Sequence, residues 1–262
     1  MPLICLSSPK GGVGKTTLTA NLAFALQRLG CPVVLIDFDV QNALRLHLGL
    51  ALDDVRGFVA PSLQQGEWQR LLIGTQSGIR ILPYGAVSDQ VQAQFEESLQ
   101  HNPSFLVDGL SELLATPGVV VLADTPPGPS PALTALNRIA DVRIAVLLAD
   151  AASISLLPGI ESGRFYKPLG QGDPVTVNYI LNQVDRRRRL NHDVTEFLQA
   201  RLGNALLGTV HRDEALAESL ASQQSIFTFE PSAASAYDID LIARRLARWL
   251  DSYGHPARSY RY

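Results

Sequence analysis

Apolar positions along this chain gather into short unbroken runs, and the stretches between them repeat their apolar residues every three or four positions. The runs are Leu3-Ile4-Cys5-Leu6-Ser7, Val33-Val34-Leu35-Ile36-Asp37, Ile79–Pro83, Val119–Asp124, Val142–Ala149, Val175–Asn182 and Leu206–Val210. Runs of about four to eight apolar residues without alternation predict strands covered on both faces. From about Lys15 to Leu29 the apolar Leu18, Leu22, Ala25, Leu26 and Leu29 recur at helical spacing, and Gly30 and Pro32 supply the stop. Further helices are expected within Ser88–Ala115 and around Pro131–Ala140. Residues 49–78 and 151–174 show no period and scatter Gly and Pro, so irregular structure is expected there. Near the end, Leu241-Ile242, Leu246 and Trp249-Leu250 line one helical face with arginines opposite.

Strands of this kind alternating with helices predict an α/β fold, a single domain over residues 1–250 with a mostly parallel sheet and helices on both faces. The last dozen residues, 251–262, read as a flexible tail. A length of 262 residues with 46% hydrophobic and 18% charged content suits one large core and excludes a disordered chain. A net charge of −3 argues against a protein that coats nucleic acid. Cys5 and Cys31 lack the spacing of a metal or redox pair and read as reduced core thiols. Met1-Pro2 leads straight into a strand, and no apolar run approaches the ~18 residues of a membrane span, so a cytoplasmic protein is expected.

The chemistry starts in the turn after the first strand, "SPKGGVGKTT". Gly14-Lys15-Thr16 match the second half of a phosphate loop, G-x-x-x-x-G-K-[ST], but Pro9 stands where the first glycine belongs, and a second lysine, Lys10, stands at the entrance. Gly11, Gly12, Val13 and Gly14 form a turn whose backbone N–H groups can curl around a phosphate, because glycine accepts positive φ and carries no Cβ. The helix that begins near Lys15 adds its positive end, together with Thr17 in the first turn. Lys15 is placed to reach the β- and γ-phosphates of a nucleotide and the Thr16 hydroxyl to ligate Mg²⁺.

A metal site of this type needs a carboxylate at a neighbouring strand end. Asp124 closes an apolar strand and is followed by Thr125-Pro126-Pro127-Gly128, which suits a carboxylate ordering a Mg²⁺-bound water and a glycine turning its N–H toward a γ-phosphate. In "DFDVQNA", Asp37 and Asp39 would share a side if the strand persisted, and either could hold a water or part of the metal shell. Spacing alone does not choose between them. The charge run Arg186-Arg187-Arg188-Arg189 follows a strand and reads as a solvated or partner-binding face.

The segments "KGGVGKTT", "DFDVQNALRLHLG" and "LADTPPG" resemble the deviant phosphate-loop ATPases of the MinD and ParA group, a SIMIBI-type P-loop fold, with a similar order of parts along almost the whole chain. The resemblance implies ATP and Mg²⁺ as cofactors, slow hydrolysis and a homodimer in which Lys10 crosses to the phosphates of the sister subunit. It also implies that Asp39 orients the attacking water, that Asp124 is an indirect Mg²⁺ ligand and that Asn182 reads the adenine edge, with Arg212 and Asp213 framing the base. "QNALRLHLG", "DTPPGPSPAL", "LNQVDRRRRLNHDV" and "VHRDEALAESLA" are similar to the BcsQ (YhjQ) family of bacterial cellulose-synthase operons. That likeness implies an accessory of a membrane cellulose synthase, part of a bacterial secretion system. Such a protein acts with small operon partners and is recruited to the inner membrane through them. Two positions depart from the wider group: Ala151 stands where a glutamate contacts the sister ribose, and His211 stands where many relatives have proline.

Three other readings compete. A ParA-like partitioning ATPase would bind DNA through basic residues such as Arg186–Arg189, against the acidic balance of the chain. An Fe–S carrier needs cysteines that meet at a dimer axis, which Cys5 and Cys31 do not offer. Membrane insertion by the C-terminal helix is disfavoured, because its apolar face describes any helix packed on a sheet.

Overall fold

The computed structural model describes residues 2–64, 66–166 and 176–252, and the side chains of all of these but Asp251 and Ser252. In chain order the elements are β1 (Leu3–Ser7), α1 (Lys15–Arg28), β2 (Val33–Asp37), α2 (Val59–Ser62), β3 (Ile73–Gly74), β4 (Arg80–Leu82), α3 (Asp89–His101), α4 (Pro103–Ala115) and β5 (Val120–Asp124). They continue with α5 (Pro131–Ile139), β6 (Val142–Leu148), α6 (Ala151–Glu161), β7 (Asn178–Val184), α7 (Arg189–Leu202), β8 (Leu206–His211), α8 (Glu214–Ala221), α9 (Ile226–Phe229) and α10 (Ala234–Ser252).

Among the described residues the strands form one sheet in the order β3-β4-β2-β5-β1-β6-β7-β8, parallel throughout except for the short antiparallel edge β3. β1, β2 and β5 are buried at every residue, which is why they read as unbroken apolar runs. Alternate side chains feed two cores. One holds Leu3, Val34, Val121 and Leu147 under α3, α4, α5 and α6, and the other holds Ile4, Leu35, Leu122 and Ile144 under α1 and α10. β1 lies between β5 and β6, so the chain departs on opposite sides of it and opens a crevice at the strand ends.

Several expectations are corrected. Residues 151–174 are not irregular throughout: Asp150 caps α6 through the Ser153 N–H, and Leu157 and Ile160 bury its inner face despite Pro158 within it. Within 49–78 the chain forms α2, the edge strand β3 and a 3₁₀ turn at Trp68–Leu71. The late strand runs Asn178–Val184, so Asn182 lies inside it rather than at its end. α10 continues to Ser252 and packs Ile242 and Leu246 on α1 and β8, with Trp249 and Leu250 against the same core, whereas Leu241 is 47% exposed and belongs to the other face. The remainder of the expected tail, 253–262, lies outside the described residues. No helix among the described residues is long and apolar enough to cross a membrane.

Candidate nucleotide and metal site

The crevice collects its groups from the ends of β1, β2 and β5 and from the loop after β1. Gly12 and Gly14 adopt φ of 74° and 80°, the left-handed conformation that lets this loop turn back on itself. α1 begins at Lys15 on Gly14, with no side-chain cap and no acidic residue in its first turn. α3, α4, α5, α6 and α8, by contrast, are each capped by a side chain. Donors at an uncapped helix start, framed by glycines, make an anion-binding concavity.

Lys15 is 6% exposed, and its Nζ donates to Asp124 Oδ1 at 2.7 Å. The Thr16 hydroxyl donates to Asp124 Oδ2 at 2.7 Å, and Thr19 Oγ1 to Oδ1 at 2.9 Å. Asp124 is fully buried and stands beside Asp37 in the β2–β5 register. The Asp37 carboxylate is also fully buried and accepts the backbone N–H groups of Asp39 and Leu44 at 2.9 and 3.1 Å. Burial, then the facing Asp124, hold its carboxyl above the usual range. The buried Asp124 carboxylate and the Thr16 hydroxyl beside it, with the Asp37 carboxyl at the neighbouring strand end, form an oxygen-rich donor set of the kind Mg²⁺ takes, so the residues fit that ion.

The strand ends at Asp37, so the two aspartates do not share a face. Asp37 is committed to the backbone, while Asp39 lies half-buried at the rim, one oxygen accepting the Gln41 N–H at 3.0 Å. Gly128, at φ 76°, donates its N–H to Ser8 O at 2.8 Å, tying the segment after Asp124 to the phosphate loop.

Lys10 reaches away from Lys15 and pairs with Asp150 at 2.5 Å, with the two side chains 27% and 38% exposed. Burial pulls the Asp150 carboxyl up, but the Lys10 ammonium and Ser153 together hold it below its usual value. Ala151, the next residue, is exposed.

On the other flank Asn182 is 4% exposed and donates Nδ2 to Val13 O at 2.7 Å. Its Oδ1 is buried without a partner among the described residues, so the amide retains an acceptor to offer an exocyclic amino group, which fits an adenine. Gln183 follows at φ 54°, with Nε2 3.5 Å from Gly12 O. Arg212 ties its N–H to Val184 O at the end of β8. Asp213 caps α8 through Ala215 and accepts from the Ser235 N–H and hydroxyl, so its oxygens serve the fold. His211 Nδ1 lies 2.7 Å from Asp238 Oδ2.

The expected residues Lys15, Thr16 and Asp124 thus meet directly, and Asn182 meets the loop. Four neighbours escaped sequence reasoning. Thr19 follows Lys15 by four positions on one helix face, a spacing that carried the signal. Asp150 and Ser153 form a capping pattern that the missing period of 151–174 hid. Gln183 gave no signal. Cys5 is buried within β1, its thiol pushed up to about 12 by burial, and it packs in the core opposite Cys31.

The family model for "Cellulose biosynthesis protein BcsQ" matches residues 1–249. Cellulose biosynthesis protein BcsQ of Escherichia coli (strain K12) is 28% identical over 247 residues, 93% of each chain. Chromosome-partitioning ATPase Soj of Thermus thermophilus is 34% identical over 239 residues, covering 89% of this chain and 90% of that one. The fold is similar to that of septum site-determining protein MinD complexed with Mg-ADP from Pyrococcus horikoshii, with a TM-score of 0.75 at 20% identity over 97% of this chain and 99% of that one. The uncapped loop, the Lys15–Asp124–Thr16 cluster and a match that runs from the first residue to α10 agree: this chain belongs to the BcsQ family of cellulose biosynthesis proteins, built on the MinD and ParA type of ATPase fold.

Proposed function

We propose that the chain is an ATP-dependent dimerising ATPase whose nucleotide state regulates a bacterial cellulose synthase complex. The observation that carries the reading is the buried Lys15–Asp124–Thr16 cluster under the uncapped start of α1, with a second lysine in the same loop. Bound Mg²⁺ would supply charge neutralisation at the phosphates. Lys15 and the N–H groups of residues 11–17 would hold the triphosphate, Thr16 would hold the metal directly and Asp124 would hold it indirectly. Asp39, half-buried at the rim, orients the attacking water. Asn182 supports the base, while Asp213, already engaged by the fold, and Arg212 frame it. Lys10 exchanges Asp150 for the sister subunit's phosphates, so the dimer forms only when nucleotide is present. Trans-acting cations of this kind raise the rate by on the order of 10³–10⁵.

The cellulose role is supported by the family match and by the name of the relative at 28% identity. The partitioning reading has the Soj likeness and the exposed Arg186–Arg189 behind it. Arg187 and Arg188, however, already pair with Asp185, and Arg189 lies 3.9 Å from Asp193, which reduces the field available to DNA. The test traps the nucleotide-bound form with Asp39→Ala in cells and identifies what co-purifies. Recovery of cellulose-synthase components is the expected result. Salt-sensitive chromosomal DNA without any synthase component would overturn the reading in favour of partitioning.

A further inference from the structure

A groove of about 530 Å³ lies between the end of α3, the start of α5 and the residues after α6. Leu99 and Phe165 give it an apolar floor, and His101, Pro129, Arg138 and Arg164 stand exposed at its rim. Phe165 stands edge-on against buried Tyr166, with ring centroids 4.9 Å apart. Among the described residues no carboxylate lines the groove. Among the described residues neither Arg138 nor Arg164 forms an ion pair, and Arg164 spends one donor on Ser162 Oγ at 3.1 Å. A second groove, beside β4, differs in this respect: its Arg56 and Arg70 are already neutralised by Asp54 and Glu67.

We infer that the α3–α5 groove docks a short acidic peptide segment of a partner protein, with apolar side chains on the floor and carboxylates on Arg138 and Arg164. Two guanidiniums without an ion pair among the described residues, with nine donors left between them, over an apolar floor, match alternating acidic and apolar side chains. A flat anionic membrane would satisfy the rim and leave the floor unfilled. Pro131, which opens α5, stands three residues after Gly128, whose N–H is tied to the phosphate loop through Ser8 O. This tie is the route by which occupancy of the groove would respond to nucleotide, a response that rests on the function proposed above.

The test is fluorescence anisotropy of a labelled peptide of alternating glutamate and leucine, titrated with the full chain. Without nucleotide the result bears on the groove alone. The parent binds, the Arg138→Glu/Arg164→Glu variant binds at least about tenfold more weakly, and the Arg138→Lys/Arg164→Lys variant retains most of the affinity. Circular dichroism melts of the variants matching the parent confirm that the fold is intact. Equal affinity of parent and charge-reversed chain would overturn the groove, as would binding to anionic phosphatidylserine vesicles with none to the peptide. Repeating the titration with ATP and Mg²⁺ tests the link. A change in affinity that Lys15→Ala abolishes supports it, and an unchanged affinity at saturating, measurably bound ATP refutes the link while leaving the groove standing.

Discussion

His47 shows how a residue that touches no ligand records the burial of this site. It sits 3% exposed in the turn Leu44–Leu48 after β2, with Nδ1 buried and without a hydrogen-bond partner among the described residues. Burial, outweighing an upward pull from Asp124, lowers its pKa from 6.5 to about 4. The unfolded chain therefore takes up a proton below pH 6.5 that the native state refuses until about pH 4, and stability falls as pH drops through that window. At pH 4 the loss attributable to His47 comes to about 3 kcal/mol. Urea unfolding of His47→Leu between pH 4 and 7 should show that much less acid sensitivity than the parent, and parallel pH profiles would refute a buried neutral imidazole. Lys10 is the contrasting case, a half-exposed ammonium held by one carboxylate, which is a pairing weak enough to exchange.

At the level of elements, packing decides the sign of substitutions that local propensity alone would treat alike. Gly109 lies within α4, and a Cβ there would come 2.2 Å from the Trp68 ring. Gly159 lies within α6 with nothing near a Cβ. Alanine gains about 1 kcal/mol over glycine in a helix interior, but overpacking a buried ring costs about 1–3 kcal/mol. Gly159→Ala should therefore raise the urea midpoint and Gly109→Ala should lower it, and a rise in both would show that Trp68 yields freely. These two helices also mark what the sequence disclosed. β1, β2 and β5 were legible because strands buried on both faces leave no polar position to blur the run. The phosphate loop was legible because its chemistry is local to ten residues, Ser8 to Thr17. α6 was hidden by Pro158, Gly159 and its serines, which break helical periodicity while Leu157 and Ile160 still anchor it. The turn around Trp68 was hidden because its stabilisation is tertiary, through rings such as Phe58 at 4.9 Å and Phe105 at 5.4 Å. Lys10–Asp150 joins residues 140 positions apart, and no local pattern announces such a pair.

Across the whole molecule, the sheet order places every group of the site on one rim. β1 carries the phosphate loop between β5 and β6, Asp124 and Asp37 close neighbouring strands, and α6 begins on the same side with Asp150. Lys10 stands at this rim, bound within its own chain to the carboxylate that also caps α6. On the proposed reading, nucleotide in a facing subunit competes with Asp150 for that lysine, so assembly and nucleotide state become one equilibrium. The most direct measurement is sedimentation velocity of the Asp39→Ala chain with ATP and Mg²⁺, with and without the additional Lys10→Ala substitution. Asp39→Ala is expected to sediment as a dimer and the double variant as a monomer at the same concentration, with equal ATP occupancy in both. A dimer that persists without the Lys10 ammonium, or an Asp39→Ala chain that stays monomeric with ATP bound, would contradict the proposed reading.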